Sequence, residues 1–271
     1  MATKKPAAPV VPIKAVKGAA KPKATGTAVA VKKTGGAVVD IQAAMRAELA
    51  GLSERTAPAG GDKIQLKGKV FTLPDGSKHD SLDVVIVDFM AVNNYYEGSF
   101  DPKSIVPPTC FAIGQIPTSL VPSKNAPVRQ SDSCGGCPMN QYESATTGSG
   151  KACKNQRRLA LLPPDADADT PLWIMDIPPT SLKSFDGYIR STSSKFGVLP
   201  VGLITTITFD DTVDYPSPRF GNPTLNENIE QHWPRRSEAM ERLSAEPDVS
   251  GYVEPAKPGA RKAPARPAAR R

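Results

Sequence analysis

Leu82-Asp-Val-Val-Ile-Val-Asp-Phe-Met-Ala-Val92 is the run on which the fold turns. It is apolar nearly throughout and rich in β-branched residues, so it reads as a buried β-strand. Upstream, Ile64, Leu66, Gly68, Val70 and Thr72 alternate with Lys63, Lys67 and Lys69, the period-two pattern of one more strand. Pro74-Asp-Gly-Ser77 between them is a turn, and the two strands are expected to pair as a hairpin.

Downstream, Asn93 to Gly98 reads as a polar aromatic loop. Thr109 to Ile113 and Arg158 to Leu162 are strands on either side of a cysteine-bearing segment. Pro163 to Thr170 is a turn. Its acids Asp165, Asp167 and Asp169 lack the glycine and terminal Glu of a calcium loop. Leu172 to Ile177 is a strand. Ser181 is expected to cap a helix with a stripe at Leu182, Phe185, Tyr188 and Ile189, ending near Phe196-Gly197. Val201 to Phe209 is a β-branched strand. Asp214 to Phe220 is an edge strand, because two prolines bar it from a central position. Leu225 to Arg242 is a polar helix interrupted at Pro234.

This order predicts a mainly β fold: a β-barrel of the oligonucleotide-binding type, with a metal segment inserted mid-barrel, one helix within the barrel and one C-terminal helix. A five-strand sandwich would give nearly the same order. The expected organisation is a disordered basic tail over 1–39, a short helix and linker over 40–60, and the barrel body over 61–225 with its zinc insertion at 110–157. A polar helix over 226–254 and a second disordered basic tail over 255–271 complete it. In the 40–60 stretch, Asp40 would cap a helix carrying Ile41, Met45, Leu49 and Leu52.

All four cysteines of the chain fall in the insertion: Cys110, Cys134, Cys137 and Cys153. Four thiols with one C-x-x-C knuckle match the ligand set of a structural Zn²⁺ ion. Gly135 and Gly136 suit the knuckle by letting backbone N–H groups approach the sulfurs. The segment from 114 to 156 is too poor in apolar residues to fold unaided, so metal binding would be folding free energy, on the order of 10 kcal/mol. Three other readings are open: a Cys134/Cys137 redox pair, two disulfides, or a set in which His79 or His232 replaces a thiol. Both histidines read as lone, solvated side chains.

The net charge of +7 is segregated. Residues 1–39 carry +8 and residues 255–271 carry +6, which leaves −7 on residues 40–254. Both tails are rich in Ala, Pro, Gly and Lys/Arg, a composition that stays disordered and holds polyanions by counterion release. No apolar run is long enough to span a bilayer and the N-terminus has no hydrophobic signal core, so a cytoplasmic protein is expected.

Phe71-Thr-Leu-Pro-Asp-Gly76, Tyr95-Tyr96, Pro108 to Gly114, Cys134-Gly-Gly-Cys-Pro-Met-Asn-Gln141, Gly150 to Leu159 and Asp214 to Phe220 resemble tailed-bacteriophage proteins of the single-stranded-DNA-binding or replication-accessory kind. The likeness covers about residues 60–225. A more distant analogue is the zinc-containing single-stranded-DNA-binding protein of T-even-like phages. Those analogues use a histidine among the ligands and end in an acidic tail, whereas here the candidate ligands are all cysteine and the chain ends in a basic tail. The resemblance implies single-stranded DNA as the partner, with RNA as an alternative, together with replication or recombination proteins in a bacterial host's cytoplasm. It implies neither a membrane nor a small-molecule substrate.

Such a protein needs cations to follow phosphates and aromatics to stack bases. Lys151, Lys154, Arg157 and Arg158 form an acid-free cationic cluster at the exit of the insertion, with Arg190, Lys195 and Arg219 as extensions. Tyr95, Tyr96 and Phe111 are the stacking candidates, while Trp173 reads as core. No catalytic constellation stands out. Asp80, Asp83 and Asp88 could serve a metal nuclease, but the odd separation of Asp83 and Asp88 predicts opposite strand faces. The competing reading is a structural or virion-associated protein whose tails condense DNA.

Overall fold

The structure is a computed structural model that describes residues 62–98 and 106–254, together with Ile41. The chain divides into two units, Met1–Thr56 and Ala57–Arg271, of which the second holds nearly all the described residues. Both basic tails lie outside the described residues, as does all of the expected helix after Asp40 except Ile41.

The central strand is β4 (Leu82–Tyr95), 14 residues long. One edge pairs with β6 (Lys154–Leu162), from Val85 opposite Leu162 to Asn94 opposite Lys154. The other edge is shared. Leu82 to Val85 pair with β8 (Leu203–Phe209), and Ala91 to Tyr95 pair with β5 (Cys110–Gly114). Outside these lie β7 (Trp173–Ile177) on β6 and β9 (Pro218–Leu225) on β8, every pairing antiparallel. The order is β7-β6-β4-β8-β9, with β5 beside the far end of β4.

β4 reads as an unbroken apolar run because both of its faces are covered. Val84 and Ile86 join Leu159, Leu161, Met175, Ile177 and Ile207 in a core that Phe185 and Tyr188 close from helix α1 (Leu182–Phe196). On the opposite side, Val87 and Met90 pack with Ala160, Leu162 and Leu172. Ala239 and Leu243 of the C-terminal helix cover that side. A bulge between Ile86 and Asp88 adds one residue to β4 and shifts the register. This corrects the parity argument for Asp83 and Asp88, since the inserted residue restores them to one side of the strand. Their carboxylates are engaged there, Asp83 by the Thr206 hydroxyl at 2.7 Å and Asp88 by Arg236 at 2.7 Å.

The fold is mainly β, as expected, but among the described residues the strands form no closed barrel. The outer strands β7 and β9 do not pair. Pro218 and Pro223 in β9 cannot donate to a further ladder, which leaves it an edge. The free side of β7 is capped by a parallel bridge, in which Ile64 N–H donates to Ile174 O and Ile174 N–H to Asp62 O, both at 2.8 Å.

The expected hairpin is also different. Residues 63–72 are not one strand but two, β1 (Gln65–Lys67) and β2 (Val70–Thr72), and β2 pairs onward with β3 (Lys78–His79). Gly68 and Lys69 both have positive φ, 61° and 59°, the signature of a two-residue type I′ turn. This three-stranded sheet does not pair with β4. It packs on the core through Ile64, Phe71 and Leu73, and Phe71 stacks on Phe209 with ring centroids 4.3 Å apart.

Helix α1 ends as expected at Gly197, which is left-handed at φ 68°. Ser181 does not cap it through its side chain; its buried hydroxyl meets Ser217 at 3.3 Å. The last helical region starts later than Leu225, which closes β9. It is broken at Pro234 into α2 (Ile229–His232), a 3₁₀ turn at Trp233–Arg235 and α3 (Arg236–Ser244).

Lys69 holds a left-handed conformation that costs a non-glycine residue about 1 kcal/mol. Lys69→Gly is therefore expected to raise unfolding stability by about 0.5–1 kcal/mol, measured by urea titration. An unchanged or lower midpoint would contradict the turn assignment.

Candidate metal centre and its cationic rim

The insertion between β5 and β6 has little apolar content, with Leu120 and Ala126 among its few buried apolar side chains. Side-chain-to-backbone hydrogen bonds hold it instead. Asn140 Nδ2 donates to Cys134 O at 2.8 Å, and Gln141 Nε2 donates to Gly135 O and Cys137 O at 3.1 and 3.2 Å. The Ser144 hydroxyl donates to Met139 O at 2.9 Å and accepts the Ala152 N–H. Cys153 N–H closes the loop on Met139 O at 2.8 Å.

These contacts bring the four cysteines to one place. Cys110 opens β5 opposite Tyr95, Cys153 immediately precedes β6, and Cys134 and Cys137 flank the knuckle. All four are buried free thiols, and all four line one cavity against the end of β4. Its volume, about 10 Å³, is room for a single ion or water. Among the described residues no three His, Cys, Asp or Glu side chains stand in a ready-made ligating arrangement. The four thiols border the cavity without forming a ready-made ligand cage. The donor set itself, four thiols from three chain segments, suits a tetrahedral Zn²⁺.

Burial pushes the Cys110 thiol up, opposed by the Gln130 backbone N–H. Burial likewise raises Cys134, opposed by the Asn93 side-chain amide. Cys153 is pushed up to about 12, first by burial and then by the other three thiols, with Lys151 opposing. A raised thiol favours the protonated folded state. In metal-free protein that contribution is complete below pH about 9 and is lost as pH climbs toward 12.

The role given to the knuckle glycines is corrected. Neither Gly135 nor Gly136 has positive φ, and an added Cβ would meet nothing closer than 3.9 and 3.5 Å. Neither histidine stands with the thiols. His79 is exposed, beside the Ser77 hydroxyl at 3.1 Å. His232 is not solvated but fully buried. Asn226 Nδ2 donates to its Nδ1 at 2.9 Å, so its Nε2–H donates to Ala166 O at 3.2 Å. It is a satisfied core residue.

The cationic cluster divides in two. Lys154 is exposed and Lys151 half-exposed at the exit of the insertion. Arg157 and Arg158 are not free cations. Arg157 is buried and pairs with Asp186 of α1 at 3.1 Å. Arg158 reaches the opposite side, pairs with Asp176 at 3.2 Å and donates to Leu243 O and Ala245 O at the end of α3. Adjacent positions on a strand face opposite ways, so a run that looks like one patch in sequence is split by the pleat. Arg219 is held by Asp210. Arg190 and Lys195 are exposed on α1, the latter with its ammonium 5.1 Å from the Phe196 ring centroid.

Of the aromatics, Tyr96 is 42% exposed. Tyr95 is not in a loop; it ends β4 and is half-buried beside Cys110. Phe111 is 1% exposed and offers no face to a base. Two residues escaped the sequence reading. Tyr142 is 77% exposed, with the Lys151 ammonium 5.2 Å from its ring centroid. Its signal was a lone aromatic in a polar loop. Asn93, read as loop, is a buried strand residue lining the thiol cavity.

No helix among the described residues is long and apolar enough to cross a membrane. Comparison with protein-family models, with curated proteins and with solved structures gave no match to this chain.

Arg158→Ala would strip Asp176 of one partner and uncap the last carbonyls of α3, so a loss of about 2–3 kcal/mol is expected by urea unfolding. A loss below about 0.5 kcal/mol would return Arg158 to the surface cations. For metal-free protein, the unfolding midpoint should fall as pH rises above about 9, and Cys153→Ser should shallow that fall. An identical slope in both would remove Cys153 as a cause.

Proposed function

We propose that the chain is a non-catalytic, zinc-stabilised protein that binds single-stranded nucleic acid, DNA in the first place, within a phage replication or recombination system. The observation that carries this reading is the clustering of four buried thiols around an ion-sized cavity, with cations and an exposed aromatic ring on its rim. Cys110, Cys134, Cys137 and Cys153 would hold Zn²⁺, which supplies a rigid cross-link to a segment with too little apolar surface to order itself. Lys151 and Lys154 then present fixed charge to phosphates, and Tyr142 and Tyr96 present rings on which bases stack. The insertion from 115 to 154 holds four Lys/Arg and two Asp/Glu, a positive island on a body that is −7 overall. A thiol-exchange enzyme fits less well, because exchange needs accessible, activated thiolates, whereas Cys134 is buried and its pKa raised.

A second reading is favoured by the ion pairing of Arg157, Arg158 and Arg219, which removes three cations from the surface track. In that reading the tails do the binding and the body is a scaffold that condenses DNA or joins a virion.

Fluorescence anisotropy of a labelled single-stranded oligonucleotide with the full chain separates the two. The first reading expects single strand to outcompete duplex and a zinc chelator to weaken binding. Tyr142→Ala would cost about 1–3 kcal/mol, and the double variant Lys151→Ala/Lys154→Ala would lower the salt slope by about 2. Equal affinity for any polyanion, unmoved by the chelator or by these variants, would hand the function to the tails.

A further inference from the structure

We propose that Asn93 is a positioning residue of the cysteine centre, whose side-chain amide donates to the Cys134 sulfur and holds that sulfur ready for a metal ion. This rests on the zinc reading above and adds to it a group outside the ligand set. Asn93 is 5% exposed near the end of a strand that is otherwise apolar over most of its length, and it lines the cavity with the four thiols. A buried amide needs partners for its oxygen and its two N–H groups. The oxygen is satisfied across the ladder. Asn155 stands directly opposite in register, and its Nδ2 donates to Asn93 Oδ1 at 2.6 Å. With the oxygen turned toward β6, the Asn93 N–H groups are left on the side of the cavity that Cys134 also lines, and the amide opposes the upward push of burial on the Cys134 thiol. The flipped orientation would set a carbonyl oxygen against a sulfur that carries charge when it binds metal, which is unfavourable.

The chemistry explains the need for a donor there. Four thiolates on one Zn²⁺ leave a net charge of −2, buried in a body that is itself acidic. Outer groups that donate to the ligands offset that charge and fix ligand direction. In this proposal Asn93 does this for Cys134, and the groups that oppose the upward push of burial at the other thiols, the Gln130 backbone N–H at Cys110 and Lys151 at Cys153, act in the same sense. Asn94 provides an internal control. It is the adjacent residue on the same strand, it does not line the cavity, and its amide donates to Gln156 Oε1 at 3.2 Å.

The test uses the reduced full-length chain, with zinc affinity measured by competition against a chromophoric chelator and the site reported by the cobalt(II) thiolate charge-transfer bands. Asn93→Asp keeps the size and still accepts from Asn155, but it cannot donate and brings a carboxylate against the sulfur. The expected result is a zinc affinity lower by about 10–100-fold and shifted cobalt bands, with Asn94→Asp within about threefold of the parent chain. Asn155→Leu, which removes only the anchor of the Asn93 amide, is expected to weaken zinc by about tenfold and covers the case in which Asn93→Asp does not fold. Parent-like affinity and bands in Asn93→Asp, or in Asn155→Leu if that alone folds, would overturn the proposal and leave the zinc centre standing. A parent chain that takes up no stoichiometric zinc would overturn both.

Discussion

The structure hangs on one strand doing two jobs. The first part of β4 is apolar on both sides and is buried between α1 and α3. Its last residues, from Ala91 to Tyr95, leave the main core and become the floor of the cysteine module through pairing with β5. Ala91, where pairing with β5 begins and packing passes to Ala112, Leu120 and Cys134, is the joint between these roles. A β-strand transmits position stiffly along its length, so the cavity bordered by the thiols is referenced to the hydrophobic core and not only to its own loop. The inserted segment, weak in apolar contacts, borrows its rigidity from a ladder that begins and ends in packed strands.

Charge follows the same division. Within the folded body, several arginines spend their guanidinium groups on structure. Arg158 joins β7 to the end of α3, Arg157 joins β6 to α1, and Arg236 joins α3 to β4. Their planar, multiply donating heads suit such cross-links, whereas lysine's single ammonium does not. The described cations left to meet a polyanion at the cysteine module are Lys124, Arg129, Lys151 and Lys154. A binding surface built this way would be tuned by salt and would rely on stacking for any preference for single strands.

Much of the fold was legible. Strong β-branched runs such as those of β4 and β8, the helical stripe of α1 with its glycine stop, the proline-marked edge strand and the break at Pro234 all depend on chemistry within a few residues. The Gly68–Lys69 turn was missed because Gly68 fell in step with the alternation of its neighbours, and period two cannot distinguish one strand from two joined by a tight turn. The closed barrel failed for a different reason. Whether β7 and β9 meet depends on twist and on which edges proline or a bridging strand occupies, and the element order carries neither.

The candidate site divides along the same line. Four cysteines with one knuckle name the chemistry of a metal centre by residue type and spacing alone, because softness and valence belong to the side chain wherever it sits. Direction and company belong to the three-dimensional arrangement. The pleat sent Arg157 and Arg158 to opposite sides and into ion pairs, the ladder buried Phe111 and turned Asn93 toward the thiols, and packing enclosed His232 that had read as solvated. Composition could say which groups were present. Only strand register and the packing of helices on both faces of the sheet settled which of them face the cavity, which face solvent and which are already taken.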